Sequence, residues 1–333
     1  MNKINLFLVV AALTVSCSQK TQPTKGFEFD GFVMGTSWHA TCVSNSDLNS
    51  TVISDALEEV DRLMSTYKPT SEVSLFSQSK SGRKMSAPSF YVISVALDIA
   101  EKSAGAFDPT VMPLVNLWGF GPAAQQEAAP SNSAIEAAMQ QCGWQHLNLS
   151  TDSFYVGKDI AELELDLSAI AKGFGADHAA TALEMQGVRN YMIEVGGEIR
   201  AKGNSIKQRP WRLAIDSPNE ENYSRVIELS NGAIATSGNY RNTRIVDGEL
   251  ISHTINPRTG RPVTHNLASV SIVADNCTIA DAVATTCMVL GATEGMQFVN
   301  SLDNVEAYFI TRVNENEFTT SETAGFPKAL NLD

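Results

Sequence analysis

Asp281 and Thr285 set a carboxylate and a hydroxyl four positions apart within Thr278 to Leu290, a stretch that reads as a helix closed by Gly291. Four residues advance about 6 Å along a helix and return to the same face. Two hard oxygens on one side of an otherwise apolar helix suit Mg²⁺. The spacing is equally compatible with a structural role, in which Asp281 favours the helix dipole as a first-turn acid and Thr285 bonds back to a carbonyl.

Three further segments carry usable chemistry. Asp166-Leu167-Ser168-Ala169-Ile170-Ala171-Lys172-Gly173 runs from a predicted strand, Leu163 to Leu167, into a predicted helix, Ser168 to Gln186. Ser168 could cap that helix, its first amides could face an anion, and Lys172 could reach a phosphate. A surface lysine beside a capping turn fits the same residues. Gly196-Gly197-Glu198 closes a strand, Tyr191 to Val195, with two residues that lack Cβ. That turn either admits a flat ligand or is simply tight. His253, in Ser252-His253-Thr254 before a Pro/Gly turn, has the residue type for proton transfer near neutral pH, although a lone loop histidine is also an ordinary surface residue.

Several nucleotide and hydrolase signatures are absent from the chain. It has no G-x-x-x-x-G-K-[ST] and no G-x-G-x-x-G, and neither H-E-x-x-H nor G-x-S-x-G occurs. A nucleotide would have to be held by another route.

The elements that must position these residues follow from periodicity. Gly26 to Val43 reads as strands around a turn at Met34-Gly35-Thr36-Ser37, and Ser50 to Met64 as an amphipathic helix with Ile53, Leu57, Val60 and Met64 on one face. Phe90 to Ala104 is a second helix, followed by a rigid turn, Ala106-Phe107-Asp108-Pro109-Thr110, and an exposed loop, Ala123 to Ser133. A third helix runs to about Gln141. Strands are predicted at Trp211–Asp216, Val226–Leu229, Arg244–Val246, Ala268–Ala274 and Val305–Thr311, with Ala235-Thr236-Ser237-Gly238 falling between strands. Strands and helices mixed without strict βαβ alternation argue an α+β fold.

Composition sets the outer bounds. The 333 residues are 43% apolar and 18% charged, which excludes collagen-like, coiled-coil and wholly disordered chains. Thirty-seven acidic residues against 24 basic ones leave a net charge of −13, which argues against a nucleic-acid partner. A phosphate-bearing ligand would need a cation to offset its charge. The start, MNKINLFLVVAALTVSC, has Lys3 ahead of an apolar run from Leu6 to Val15, too short to span a bilayer and of signal-peptide length. Residues 1–16 are therefore expected to be a signal peptide. Cys17 is expected to be lipidated and to head a polar tether over residues 17–26, leaving a lipoprotein anchored on the periplasmic side of a membrane. The cleavage box is irregular, with Leu13 four positions before the cysteine and Thr14 where an aliphatic residue is usual. Cys42, Cys142, Cys277 and Cys287 have no metal-ligand spacing and read mostly as buried thiols.

Taken in order, these segments resemble the FAD:protein FMN transferase family, the ApbE-type flavin-transferring lipoproteins. The resemblance is carried by Met34-Gly35-Thr36, by Val60-Asp61-Arg62-Leu63-Met64-Ser65-Thr66-Tyr67 and by Ala106 to Val111. It continues through Asp166 to Gly173, Glu194 to Glu198, Ala235 to Gly238, His253 with Pro257-Arg258-Thr259-Gly260, and Ala280-Asp281 to Thr285. It implies an α+β domain over residues 27–330 with flavin in a cleft between two lobes. It further implies that FAD is the substrate and that Mg²⁺ is held by Asp281, Thr285 and the Ala169 carbonyl. Met34, Tyr67, Ala106, Phe107, Asp108, Asp166, Lys172 and Ile255 match flavin or adenine contacts, and His253 matches the histidine implicated in catalysis. The implied reaction is attack by a threonine or serine hydroxyl of a target protein on the FMN phosphorus, with release of AMP. The alternatives are an FAD pyrophosphatase giving FMN and AMP, and a non-catalytic flavin-binding lipoprotein. No D-x-x-[ST]-G-A-T acceptor pattern occurs in the chain, so the resemblance implies that it modifies another protein, such as a subunit of a membrane redox complex. Trp38 stands where the family commonly has tyrosine, an expected change in packing beside the flavin.

Overall fold

Alternating burial along Lys25–Val33 and Thr36–Ser44 folds the two strands into a hairpin, with Val33 opposite Thr36 across Met34 and Gly35. The computed structural model describes residues 24–122, 128–218, 223–239, 243–246 and 249–330. The expected signal peptide, Cys17, most of the tether and part of the Ala123–Ser133 loop lie outside the described residues.

The hairpin opens an eight-stranded sheet, antiparallel throughout. Its order is Lys25–Val33, Thr36–Ser44, Asn190–Val195, Glu198–Lys202, Asn231–Gly238, Leu267–Ala274, Glu306–Arg312 and Phe318–Glu322. Side chains alternate between its faces. Ala233 and Ala235 join cores shared with the helices Thr51–Met64, Ala171–Met185 and Cys277–Val299, whereas Ile234 joins a separate core under the hairpin Trp211–Asp216 and Tyr223–Leu229. The sheet is therefore covered on both faces, by helices on one and by a second layer of strands on the other. This is the α+β architecture expected. A small sheet of Gly82–Lys84, Tyr155–Lys158 and Leu147–Ser150, not anticipated from the sequence, adjoins the helix Ala87–Lys102 through shared apolar residues such as Phe90 and Val156.

Three expectations are corrected. Leu163 to Leu167 is not a strand. Its three leucines are buried, but its backbone bonds leave the sheet: Leu163 C=O accepts from Lys158 Nζ (2.7 Å), Leu165 N–H donates to Ser77 Oγ (3.2 Å) and Asp166 N–H to Pro109 C=O (2.8 Å). The following helix begins at Ala171, so Ser168 caps nothing; its N–H and hydroxyl both donate to Asp166 Oδ1. Ala235–Gly238 is strand, not loop, and pairs with Leu267–Ala274 in mid-sheet. Gly291 does end the regular helix from Cys277, at φ 77°, and the chain resumes helical turns to Val299. Among the described residues the four cysteines are free; Cys42, Cys277 and Cys287 are buried and Cys142 is half-buried.

Candidate active site

Two close approaches build the floor of a cleft of about 1020 Å³. In the first, the helices Ala171–Met185 and Cys277–Val299 cross at Gly173. A Cβ there would lie 2.2 Å from the Cys277 carbonyl oxygen and 2.7 Å from Asp281 Cβ, so only glycine lets the helices meet. The contact sets the Gly173 N–H against Asp281 Oδ2 at 2.9 Å. Gly173 is the third residue of its helix, so its amide has no acceptor within the helix and Asp281 takes it; Ala169 precedes the helix start.

The second approach is the turn between Asn190–Val195 and Glu198–Lys202. Gly196 and Gly197 have φ of 63° and 105°, the left-handed pair of a two-residue hairpin turn. A Cβ on Gly196 would sit 2.9 Å from Thr36 Oγ1 and 3.3 Å from Lys172 Cδ. The turn thus lies against the lysine stem and delivers Glu198 beneath it. Lys172 Nζ is 2.9 Å from Glu198 Oε1 and 3.8 Å from Asp281 Oδ1.

Electrostatics follow from burial. Lys172 is penalised by desolvation, yet Asp281 and Glu198 outweigh this and hold it above the ordinary lysine value, so it is charged. Desolvation, reinforced by Asp281, pushes Glu198 well above the usual carboxylate range. Burial also raises Asp166, partly offset by its bonds from Ser168.

The two readings of Asp281 and Thr285 now separate. The start of the Cys277–Val299 helix is capped without Asp281. Asn276 Oδ1 accepts from Ile279 N–H (2.9 Å), and the Asp177 carboxylate accepts from the N–H groups of Cys277 (3.0 Å) and Thr278 (2.8 Å). The threonine that bonds back to a carbonyl is Thr286, to Ala282 C=O at 2.8 Å. Thr285 Oγ1 instead faces Ser237 Oγ across the cleft floor at 3.5 Å. Asp281 and Thr285 both line the cleft, as does Ala169. A carboxylate, a hydroxyl and a backbone carbonyl from the turn before the helix are hard-oxygen donors of the kind that fit Mg²⁺.

Of the other residues singled out, Tyr67, Asp166, Lys172, His253 and Ile255 also line the cleft. Tyr67 is 71% exposed and stands at its rim. His253 is presented between tethered neighbours: Ser252 Oγ donates to Asn239 Oδ1 (2.7 Å) and Thr254 N–H to Ser252 Oγ (3.0 Å). Its ring lies edge-on to Phe120, centroids 6.4 Å apart. Met34, Ala106, Phe107 and Asp108 are not among the lining residues. Met34 sits in the first hairpin turn against Gly175. Ala106 and Phe107 are buried. Asp108 is committed to Thr110 N–H (2.8 Å), Thr110 Oγ1 (2.6 Å) and Trp144 N–H (3.2 Å), which staples the turn whose Pro109 carbonyl supports Asp166. Trp38 is buried in the core beside Ile53 and Leu57 and does not line the cleft.

Sequence reasoning missed Glu198, Ser237 and Arg244 as site residues. An acid directly after a Gly-Gly turn, at the start of a strand, was the available signal for Glu198. Arg244 donates to the carbonyls of Trp118 (3.0 Å) and Gly119 (2.9 Å) and so pins the glycine-rich wall.

Known proteins resemble this chain in both sequence and fold. The ApbE family profile matches residues 34–309. The FAD:protein FMN transferase of Escherichia coli K12 is 37% identical over 324 residues, 93% of this chain and 92% of that protein. The protein of the same name from Vibrio cholerae is 40% identical over 299 residues, 87% and 89% of the two chains. The solved flavin transferase ApbE from Vibrio cholerae superposes with a TM-score of 0.82 at 36% identity, covering 91% of this chain and 99% of that one. The apo flavinyl transferase ApbE of Pseudomonas stutzeri gives 0.82 at 33% identity, covering 90% and 95%. A profile match across most of the chain, with relatives 37–40% identical along most of their length, places the chain in the ApbE family.

Proposed function

We propose that this enzyme transfers the FMN half of FAD to a hydroxyl of an acceptor protein, releasing AMP. The observation that carries this reading is the cleft floor, which Asp281, Thr285 and Ala169 line together with a charged lysine in a chain of the ApbE family. Relatives matched over most of their length are named FAD:protein FMN transferases.

Phosphoryl transfer asks for charge neutralisation and in-line positioning more than for a covalent protein intermediate. Asp281, Thr285 and the Ala169 carbonyl would hold Mg²⁺, which when bound offsets pyrophosphate charge that so acidic a chain could not neutralise. Lys172 adds a fixed positive charge at the same floor. Tyr67, Asp166 and Ile255 contact the dinucleotide along the wall, and the turn stapled by Asp108 holds Asp166 there through the Pro109 carbonyl. His253 accepts the proton of the incoming threonine or serine hydroxyl as its oxygen bonds to the FMN phosphorus. The P–O bond on the AMP side breaks, and AMP leaves with the bridging oxygen and both bonding electrons.

The N-terminal residues support a setting for this reaction: export, removal of residues 1–16, lipidation of Cys17 and display on the periplasmic side of a membrane. The acceptor there would carry a D-x-x-[ST]-G-A-T site, as in a subunit of a membrane redox complex. Cys17→Ser should release the mature chain from membranes, and retention would remove the anchor from the proposal.

The test of the activity is to incubate the protein with FAD, Mg²⁺ and a fragment bearing D-x-x-T-G-A-T, then weigh the fragment. A gain of one FMN, lost without metal, is expected. Free FMN and AMP beside an unmodified fragment would replace transfer by hydrolysis, and FAD that is bound but unchanged would replace it by flavin storage.

A further inference from the structure

The cleft floor holds one cation between two buried carboxylates, and it is held unevenly. Lys172 Nζ makes a hydrogen-bonded ion pair with Glu198 at 2.9 Å but stops 3.8 Å from Asp281 Oδ1, beyond hydrogen-bond distance. Asp281 Oδ2 is already engaged by the Gly173 N–H. Oδ1 is therefore the oxygen open to a cation, and Lys172 is the cation nearest to it. Glu198 is only 4% exposed at its side chain, and its second oxygen, Oε2, is buried without a hydrogen-bond partner. A buried carboxylate with an unsatisfied oxygen costs stability. Its retention here calls for a role other than stabilising the fold.

We infer that Glu198 is a positioning residue that holds the Lys172 ammonium away from Asp281 and so keeps Asp281 Oδ1 open for a divalent cation. This inference rests on the metal reading given under Proposed function. An ammonium drawn onto Asp281 Oδ1 would repel a divalent cation at the same oxygen and compete for its charge, and that cost appears in metal affinity. Glu198 removes the competition by offering Lys172 a nearer partner. The turn at Gly196-Gly197, packed on the lysine stem, fixes where that partner stands.

The experiment is a titration of the purified protein with Mn²⁺ alone, followed by loss of the free-ion paramagnetic resonance signal and needing no FAD or turnover. Glu198→Gln should weaken Mn²⁺ binding by about 10–100-fold, the usual effect of losing an outer partner of a metal ligand. Adding Lys172→Met to that variant should restore affinity to within about threefold of the parent, because the competitor is gone. Lys172→Met alone should bind at least as tightly as the parent, which keeps the test available if Glu198→Gln folds poorly. Parent-like affinity in Glu198→Gln would overturn the inference. So would a weakened Glu198→Gln that Lys172→Met does not rescue, or a tenfold loss in Lys172→Met alone. A parent that takes up no Mn²⁺, or an Asp281→Ala variant that binds it equally well, would instead sink the metal assignment, and this inference with it.

Discussion

The floor and the rim of the cleft are built by different means. On the floor, Lys172, Glu198 and Asp281 stand on regular helices and a central strand, brought together where Gly173 meets the Cys277 main chain and Gly196 packs on the side chains of Thr36 and Lys172. At the rim, Tyr67, Phe120 and His253 stand on or beside turns whose backbone is tied by side chains. Arg244 bonds the Trp118 and Gly119 carbonyls, Trp118 Nε1 donates to Gly260 C=O at 2.8 Å, and Arg258 Nη2 donates to Ser103 C=O at 2.6 Å. Charges that must not move are placed where backbone packing fixes them. In the proposed reaction the groups that would meet an incoming protein stand on turns, where binding residues are generally carried.

That contrast can be broken at four points. The largest effect is expected from Asp281→Ala on the floor: loss of a metal ligand worth several kcal/mol in the transition state should cut FMN transfer by about 10³-fold or more. Fragment mass spectrometry reads it, and transfer within tenfold of the parent would contradict the ligand role. At the rim, His253→Ala should lower transfer by about 100-fold while FAD binding, followed by flavin fluorescence, stays unchanged. A parent-like rate there would remove the proton-acceptor role.

Gly173→Ala tests the floor's construction. Its Cβ would fall 2.2 Å from the Cys277 carbonyl, so the helices must part, at a cost of about 1–3 kcal/mol measured by urea unfolding. An unchanged midpoint would show that the crossing is not tight. The smallest effect on stability belongs to Tyr67→Ala, an exposed rim position expected to change it by less than about 0.5 kcal/mol. Its signature is a larger share of free FMN relative to transferred FMN, since the ring would shield the reacting phosphate from water. An unaltered ratio would leave Tyr67 without that part.

Much of this was legible along the chain. Apolar spacing located the helix carrying Asp281 and Thr285, and the close of its regular turns at Gly291. It located the hairpin about Met34-Gly35 equally well. Leu163 to Leu167 misled because alternate leucines look alike whether the backbone between them pairs with a strand or with Lys158, Ser77 and Pro109. Ala235 to Gly238 misled for the opposite reason: small residues that resemble a turn sit in mid-sheet, where the neighbouring helix leaves little room. Spacing also left open whether Asp281 capped its own helix. That was decided by Asp177, about a hundred residues earlier, which caps the helix in its place.

The sequence by itself determined which residues had the chemistry, where the main helices run, and the sign of a charge that calls for a cation beside any phosphate. Only the tertiary structure decided that Lys172 pairs with Glu198 rather than Asp281, and that the Gly173 amide is taken by Asp281. Local periodicity records what each residue prefers among its chain neighbours. The competition of one ammonium between two carboxylates depends on distances set by a Gly-Gly turn and a helix crossing, which join positions 26 and 109 residues away along the chain.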